Sequence, residues 1–198
     1  MIQNLLTKVD GVLVGGGMIY TFYKARDIPI GDSLLESNRE EMAREILDAA
    51  KSAGVDLVLP VDSVVSAAAD GSEPFRTTEG PAIPEGSMGV DIGPATIDLF
   101  RRHLASARTV VWNGPMGIFE VPAFAEGTRA IAEEVARAAE RGATTIVGGG
   151  DSVAALHQMD VDRRITHVST GGGASLEFLA GKSLPGVEAL SDATSMPV

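Results

Sequence analysis

The sequence predicts an α/β fold of three layers, with helices on both faces of a mostly parallel sheet of about six strands. Short β-branched runs at 12–14, 56–61, 109–112 and 144–147 alternate with segments of helical period along the whole chain. No shift in composition divides the 198 residues, a length that suits one large domain or two small ones. Gly-Gly-Gly triplets at 15–17, 148–150 and 171–173 each follow an expected strand and precede an expected helix. That order puts all three triplets at the carboxyl edge of the sheet, where open α/β folds bind ligands.

Residues 5–10 read as the end of a helix, and 12–14 as a strand running into the first triplet. Residues 18–26 form a helical pattern with Met18, Phe22 and Ala25 on one face. Residues 38–53 are the clearest helix, with Met42, Ile46, Leu47 and Ala50 at helical spacing and Gly54 as its stop. After the strand 56–61, residues 66–86 are rich in Gly, Pro, Asp, Ser and Thr and read as an irregular connection. Residues 88–91 read as a short strand, 96–106 as a helix, and 109–112 as a strand stopped by Asn113-Gly114-Pro115. Residues 124–141 form a long amphipathic helix ended by Gly142. The strand 144–147 and a short helix to 158 follow, then a strand at 166–169 and a helix at 174–179. From 181 the chain is rich in Pro, Gly and Ser, with 187–190 able to pack. Residues 1–190 are expected to be one domain and 191–198 a flexible tail.

The bulk numbers narrow the function. A net charge of −11 argues against a nucleic-acid partner or an anionic membrane surface. The absence of cysteine excludes disulfides, thiolate metal sites and a cysteine nucleophile. No run of about 18 apolar residues and no signal-peptide pattern is present, so a cytoplasmic setting is expected.

Three familiar signatures fail on a residue. A dinucleotide fingerprint would need glycine at Tyr20, Val153 or Leu176. A phosphate loop ending Gly181-Lys182-Ser183 would need glycine at Leu176. Gly31-Asp32-Ser33-Leu34 resembles a hydrolase serine motif, but no strand precedes Ser33 and no base motif lies near the end. His103, His157 and His167 have no metal spacing and no evident carboxylate partner.

The second triplet is the most informative stretch. A strand, a glycine turn and a helix start at Gly148, Gly149, Gly150, Asp151 and Ser152 would present backbone N–H groups and a helix dipole to an anion. Asp151 has two readings there: it holds Mg²⁺ against a phosphate, or it or Ser152 caps the helix. Asn113-Gly114-Pro115-Met116-Gly117-Ile118-Phe119-Glu120 also has two. It is an apolar slot with a carboxylate suited to a base and a ribose, or a loop packed on its own helix with Glu120 in solvent.

Seven segments together resemble phosphoglycerate kinase, in that family's order and spacing. They include V-G-G-G-M-x-Y-T-F at 14–22, L-P-V-D at 59–62, M-G-V-D-I-G-P at 88–94 and V-W-N-G-P-M-G-I-F-E at 111–120. F-A-E-G-T at 124–128, I-V-G-G-G-D-S at 146–152 and H-V-S-T-G-G-G-A-S-L-E at 167–177 complete the set. The likeness covers nearly the whole chain but only the family's second half, a Rossmann-like domain that carries ATP or ADP with Mg²⁺. It implies roles at matching positions. Gly148, Gly149, Gly150, Asp151 and Ser152 would receive the phosphates, with Asp151 on the metal. Thr170, Gly171, Gly172 and Gly173 would bring a second helix start to the transferring group, making Gly149 and Gly172 the catalytic glycines. Gly15, Gly16, Gly17, Gly89, Val90, Asn113, Pro115, Gly117 and Ile118 would line the adenine pocket, and Glu120 would hold the ribose.

The resemblance also implies what these residues do not supply. The family's other domain, with the basic patch for 3-phosphoglycerate, has no counterpart here. Neither does its G-G-x-K-V-x-D-K segment, whose lysines neutralise phosphate charge. Ser87 stands where the family usually has tryptophan. The expectation is a nucleotide-binding half of an enzyme that transfers a phosphoryl group reversibly between ATP and 3-phosphoglycerate, weak in turnover alone. The competing expectation is a gene fragment without catalysis, or a nucleotide-binding module that needs a partner chain.

Overall fold

A computed structural model describes residues 2–169, 171, 174 and 181–190. The expected tail at 191–198, most of the helix expected at 174–179, and Thr170, Gly172 and Gly173 lie outside the described residues. The chain opens with α1 (Ile2–Leu5), which ends at the first residue of the stretch 5–10 expected to be a helix end. Then come β1 (Gly11–Leu13), α2 (Ile19–Ala25), α3 (Glu40–Ala53) and β2 (Asp56–Val58). A second group follows: β3 (Ser63–Ser66), β4 (Phe75–Thr77), β5 (Met88–Ile92) and α4 (Pro94–Ala105). The last group is β6 (Thr109–Asn113), α5 (Glu126–Glu140), β7 (Thr144–Gly148), α6 (Gly150–Gln158), β8 (His167–Val168) and α7 (Pro185–Glu188).

The α/β alternation produces two parallel ladders, with helices between their paired strands. β1 pairs with β2 around α2 and α3, and β6, β7 and β8 form a second parallel ladder in that order. The two ladders share no strand hydrogen bonds, yet Leu13 and Val58 pack on the hydrophobic cluster built under β6 and β7. The third ladder, β4-β3-β5, is antiparallel. β5 is the strand expected at 88–91, whereas β4 lies within the stretch 66–86 expected to be irregular and overturns that expectation. All three β4 residues are exposed, so no alternation marks the strand. β4 exists because its backbone pairs with β3 and because Phe75 meets Phe124 edge-on, with ring centroids 5.8 Å apart.

Helix faces follow the apolar spacing, with one displacement. α3 buries Ala43, Ile46 and Ala50 and ends at Gly54 with φ +68, while Met42 lies exposed. Ile46 and Ala50 face inward as expected and Leu47 is half-buried, so the stripe differs only in having Ala43 in the place expected of Met42. α2 buries six of its seven residues, the pattern of a helix enclosed on all sides. α5 is similarly enclosed against α4, β5 and β7, with Ala132, Val135, Ala136 and Ala138 fully buried.

Two buried carboxylates finish helices from a distance. The residue before α4 is Gly93, which has no side chain to cap it. Asp62, 33 residues earlier than Ala95, accepts the Ala95 N–H at 2.9 Å and the Thr96 N–H at 2.8 Å. Asp91 does the same for α5, whose preceding residue is Ala125. A helix start leaves four N–H groups without internal partners, and an acidic acceptor also complements the dipole there.

Candidate nucleotide site

The loop between β6 and α5 is the hub of the site. β6 ends at Asn113, which is in register with Gly148 at the end of β7. Gly114 N–H donates to Ser152 Oγ at 2.6 Å, tying the loop to the first turn of α6. Gly16 N–H donates to the Met116 carbonyl at 3.2 Å, tying the loop to the first glycine triplet. Ile118 N–H donates to the Val90 carbonyl at 2.9 Å, tying it to β5. Residues 15–17, 89–90, 113–120 and 148–152, chosen by sequence as separate pieces, thus meet around a single loop.

The second triplet has the expected strand, turn and helix. Gly149 adopts φ +93 and ψ 134, a conformation that a side chain disfavours. A Cβ at Gly149 would lie 2.8 Å from Asn113 Nδ2, so the close approach of the loop needs glycine there as well. Gly150 opens α6, is exposed, and has nothing within 4 Å of where a Cβ would stand. The open backbone beside this helix start is therefore centred on Gly150.

The capping alternative at Asp151 and Ser152 does not hold. No side chain caps α6, because the capping position is Gly149. Ser152 is fully buried and uses its hydroxyl to accept from Gly114. Asp151 sits in the first turn of α6 and is exposed. Among the described residues no group of three His, Cys, Asp or Glu side chains could hold a metal. A single exposed carboxylate beside free N–H groups is nevertheless the protein share that Mg²⁺ needs when phosphate oxygens and water fill its remaining positions.

The apolar patch of the loop is mostly turned inward. Met116 and Phe119 are 7% and 5% exposed, in two different clusters of the interior. Ile118 remains half-buried and Glu120 is exposed. The slot expected from three apolar residues is thus reduced to Ile118, bordered by Pro115 and Gly117, which are also half-buried. Val90 is 2% exposed and reaches the site through its carbonyl. Gly89 N–H donates to Ser33 Oγ at 2.9 Å, so the serine of the failed hydrolase motif is a structural acceptor. Gly15 and Gly17 line the first turn, and Gly171 is exposed beyond β8. A cavity of about 330 Å³ runs along the open face of β6–β8, past Asn113, Gly148 and Gly171, with Val111, Ile146 and His167 on its floor.

Two residues with no role expected from sequence hold the loop in place. Thr128 Oγ1 is fully buried and accepts from Met116 N–H at 3.0 Å and Gly117 N–H at 3.4 Å. Asp91, 2% exposed, accepts from Gly127 N–H at 2.6 Å and Ile92 N–H at 2.8 Å. Burial pushes the Asp91 carboxyl up to about 7, against the pull of those two N–H groups and with a smaller push from Glu126. The visible signal for both was the pair of segments F-A-E-G-T and M-G-V-D, whose polar residues fall inside apolar surroundings. The expectation that His157 lacks a carboxylate partner is corrected, since its Nδ1 lies 3.4 Å from Asp162 Oδ2.

A family model described as phosphoglycerate kinase matches residues 1–182. The chain belongs to the phosphoglycerate kinase family. It is 56% identical over 192 residues to a phosphoglycerate kinase of Clostridium novyi (strain NT), covering 97% of this chain and 48% of that protein. It is 55% identical over 193 residues to one from Koribacter versatilis (strain Ellin345), covering 97% of this chain and 47% of the relative. Among solved structures, phosphoglycerate kinase from Coxiella burnetii superposes with a TM-score of 0.89 at 41% identity, over 94% of this chain and 48% of that one. The Pyrococcus horikoshii OT3 phosphoglycerate kinase gives 0.73 at 33% identity, over 96% and 47%. The chain spans about half the length of the phosphoglycerate kinases it matches. No helix among the described residues is long and apolar enough to cross a membrane.

Proposed function

We propose that this chain is the Mg-nucleotide-binding half of a phosphoglycerate kinase, the part that carries ATP or ADP while 3-phosphoglycerate is held elsewhere. The Gly114–Ser152 hydrogen bond carries this reading, because it sets the candidate base-and-ribose loop beside the open start of α6. The N–H groups at Gly150–Ser152 and the α6 dipole would receive phosphate oxygens. Ile118 and Pro115 would give the base an apolar surface, and Glu120 would accept from ribose hydroxyls. Asp151 would hold Mg²⁺, which when bound neutralises charge between adjoining phosphate oxygens.

None of the residues assigned to the site is Lys or Arg. Phosphoryl transfer depends on charge stabilisation and positioning, so the N–H groups and dipole of this half alone would leave most of the transferring charge uncompensated. The reading is therefore nucleotide binding with little turnover, in a cytoplasmic protein whose acceptor site is in the other half of the enzyme. Titration calorimetry with MgADP tests it. Saturable binding is expected, and no heat at about 1 mM nucleotide overturns it, since that would put the interaction weaker than about −4 kcal/mol.

A further inference from the structure

Asp91 makes no hydrogen bond to the residues expected to contact nucleotide, yet its carboxyl lies under the loop that carries several of them. Its carboxyl group occupies the space where a Cβ on either Gly117 or Gly127 would stand. Gly127, the second residue of α5, donates to it, and the next residue, Thr128, accepts from Met116 and Gly117. The neighbour of Asp91 in β5, Val90, accepts from Ile118. The start of α5, the end of β5 and residues 116–118 are therefore one bonded unit with a buried carboxyl at its centre. A purely helix-capping acid would not need to be there. Asp62, which caps α4 through two N–H groups, fills the space where a Cβ on Gly93 would stand, away from residues 113–120.

We propose that Asp91 is a positioning residue for the nucleotide: it sets the height of residues 116–118 over the pocket by holding Gly127 below and filling the space beneath Gly117. The proposal rests on the nucleotide reading above. A loop whose backbone approaches this closely has no room to settle differently, because interiors are packed near crystal density and a buried donor left unpaired is costly. Replacing one carboxylate oxygen by an amide NH₂ sets a donor against either Gly127 N–H or Ile92 N–H, and the loop must lift to relieve it.

The test compares Asp91→Asn with Asp62→Asn in the full chain, by MgADP calorimetry, urea unfolding and amide hydrogen exchange. Asp91→Asn is expected to weaken MgADP at least about tenfold and to speed exchange at Gly117 and Ile118. Asp62→Asn is expected to lose comparable stability, speed exchange at Ala95 and Thr96, and bind MgADP as the unaltered chain does. Binding by Asp91→Asn within about twofold of the unaltered chain, or equal losses in both variants, overturns the positioning role alone. No binding by the unaltered chain overturns the nucleotide reading instead. If Asp91→Asn does not fold, the unaltered chain decides: MgADP should slow exchange at Gly127 and Ile118 together. Slowing at Ile118 with Gly127 unchanged overturns the proposal.

Discussion

Gly114 and Ser152 are 38 positions apart in sequence and are joined by a 2.6 Å hydrogen bond from the glycine N–H to the serine hydroxyl. The serine is completely buried, so water cannot replace it. The bond holds the end of β6 against the start of α6, across the edge where Asn113 and Gly148 are paired.

Ser152→Ala should therefore cost about 1–2 kcal/mol, the usual penalty for leaving a partly buried N–H without an acceptor. Urea unfolding should show a lower midpoint with an unchanged slope. MgADP affinity should fall in the same variant, because the loop and α6 would no longer be held in register.

Gly149→Ala should be more damaging. It imposes a side chain on φ +93 and drives a methyl toward the Asn113 amide. Strain of this kind is worth about 1–3 kcal/mol. The expected outcome is a thermal midpoint lower by roughly 2–4 °C for each kcal/mol in a domain of this size, with MgADP binding lost. Gly150→Ala, with open space around it, should be milder in stability.

Asp151→Asn should leave unfolding unchanged, since Asp151 is exposed and caps nothing. Calorimetry should separate it from the other variants: ADP without metal binds as before, while the gain from added Mg²⁺ shrinks by about tenfold or more. An undiminished Mg²⁺ effect would remove Asp151 from the metal.

Asp91 makes a pH signature. Its carboxyl titrates at about 7 in the folded chain, and near 4 when unfolded. The native state thus keeps a proton that the unfolded state has released between these values. Stability from this group is fully present below about pH 4 and is lost as pH rises through about 7. At about 1.4 kcal/mol per pH unit the whole change is at most about 4 kcal/mol. Asp91→Asn cannot titrate, so its stability deficit relative to the unaltered chain should shrink between about pH 5 and about pH 8 in urea unfolding.

Local pattern carried much of this molecule. α3, α5 and the strands β1, β6 and β7 were visible because each packs one face or a whole run of apolar side chains, and periodicity records that. The glycine triplets marked turns, and Gly15, Gly16 and Gly149 sit where the 113–116 loop leaves no room for a side chain. β4 was invisible because all three of its residues are exposed and show no alternation; pairing with β3 and the Phe75–Phe124 contact define it. The fate of Met116 and Phe119 was equally hidden, since an apolar residue in a loop can line a slot or fill the interior.

By itself, the sequence determined the α/β alternation, the glycine turns at the carboxyl ends of strands, and an order of segments sufficient to point to a kinase family. Tertiary structure decided which pieces meet: Gly114 with Ser152, Gly16 with Met116, Ile118 with Val90, and Asp91 with Gly127. It also decided that Asp151 stays free of the helix cap and that Asp91 is buried. The physical reason is range. Side-chain period and turn chemistry act over a few residues, whereas a hydrogen bond between residues 28 to 100 positions apart exists only after packing has brought their backbones together.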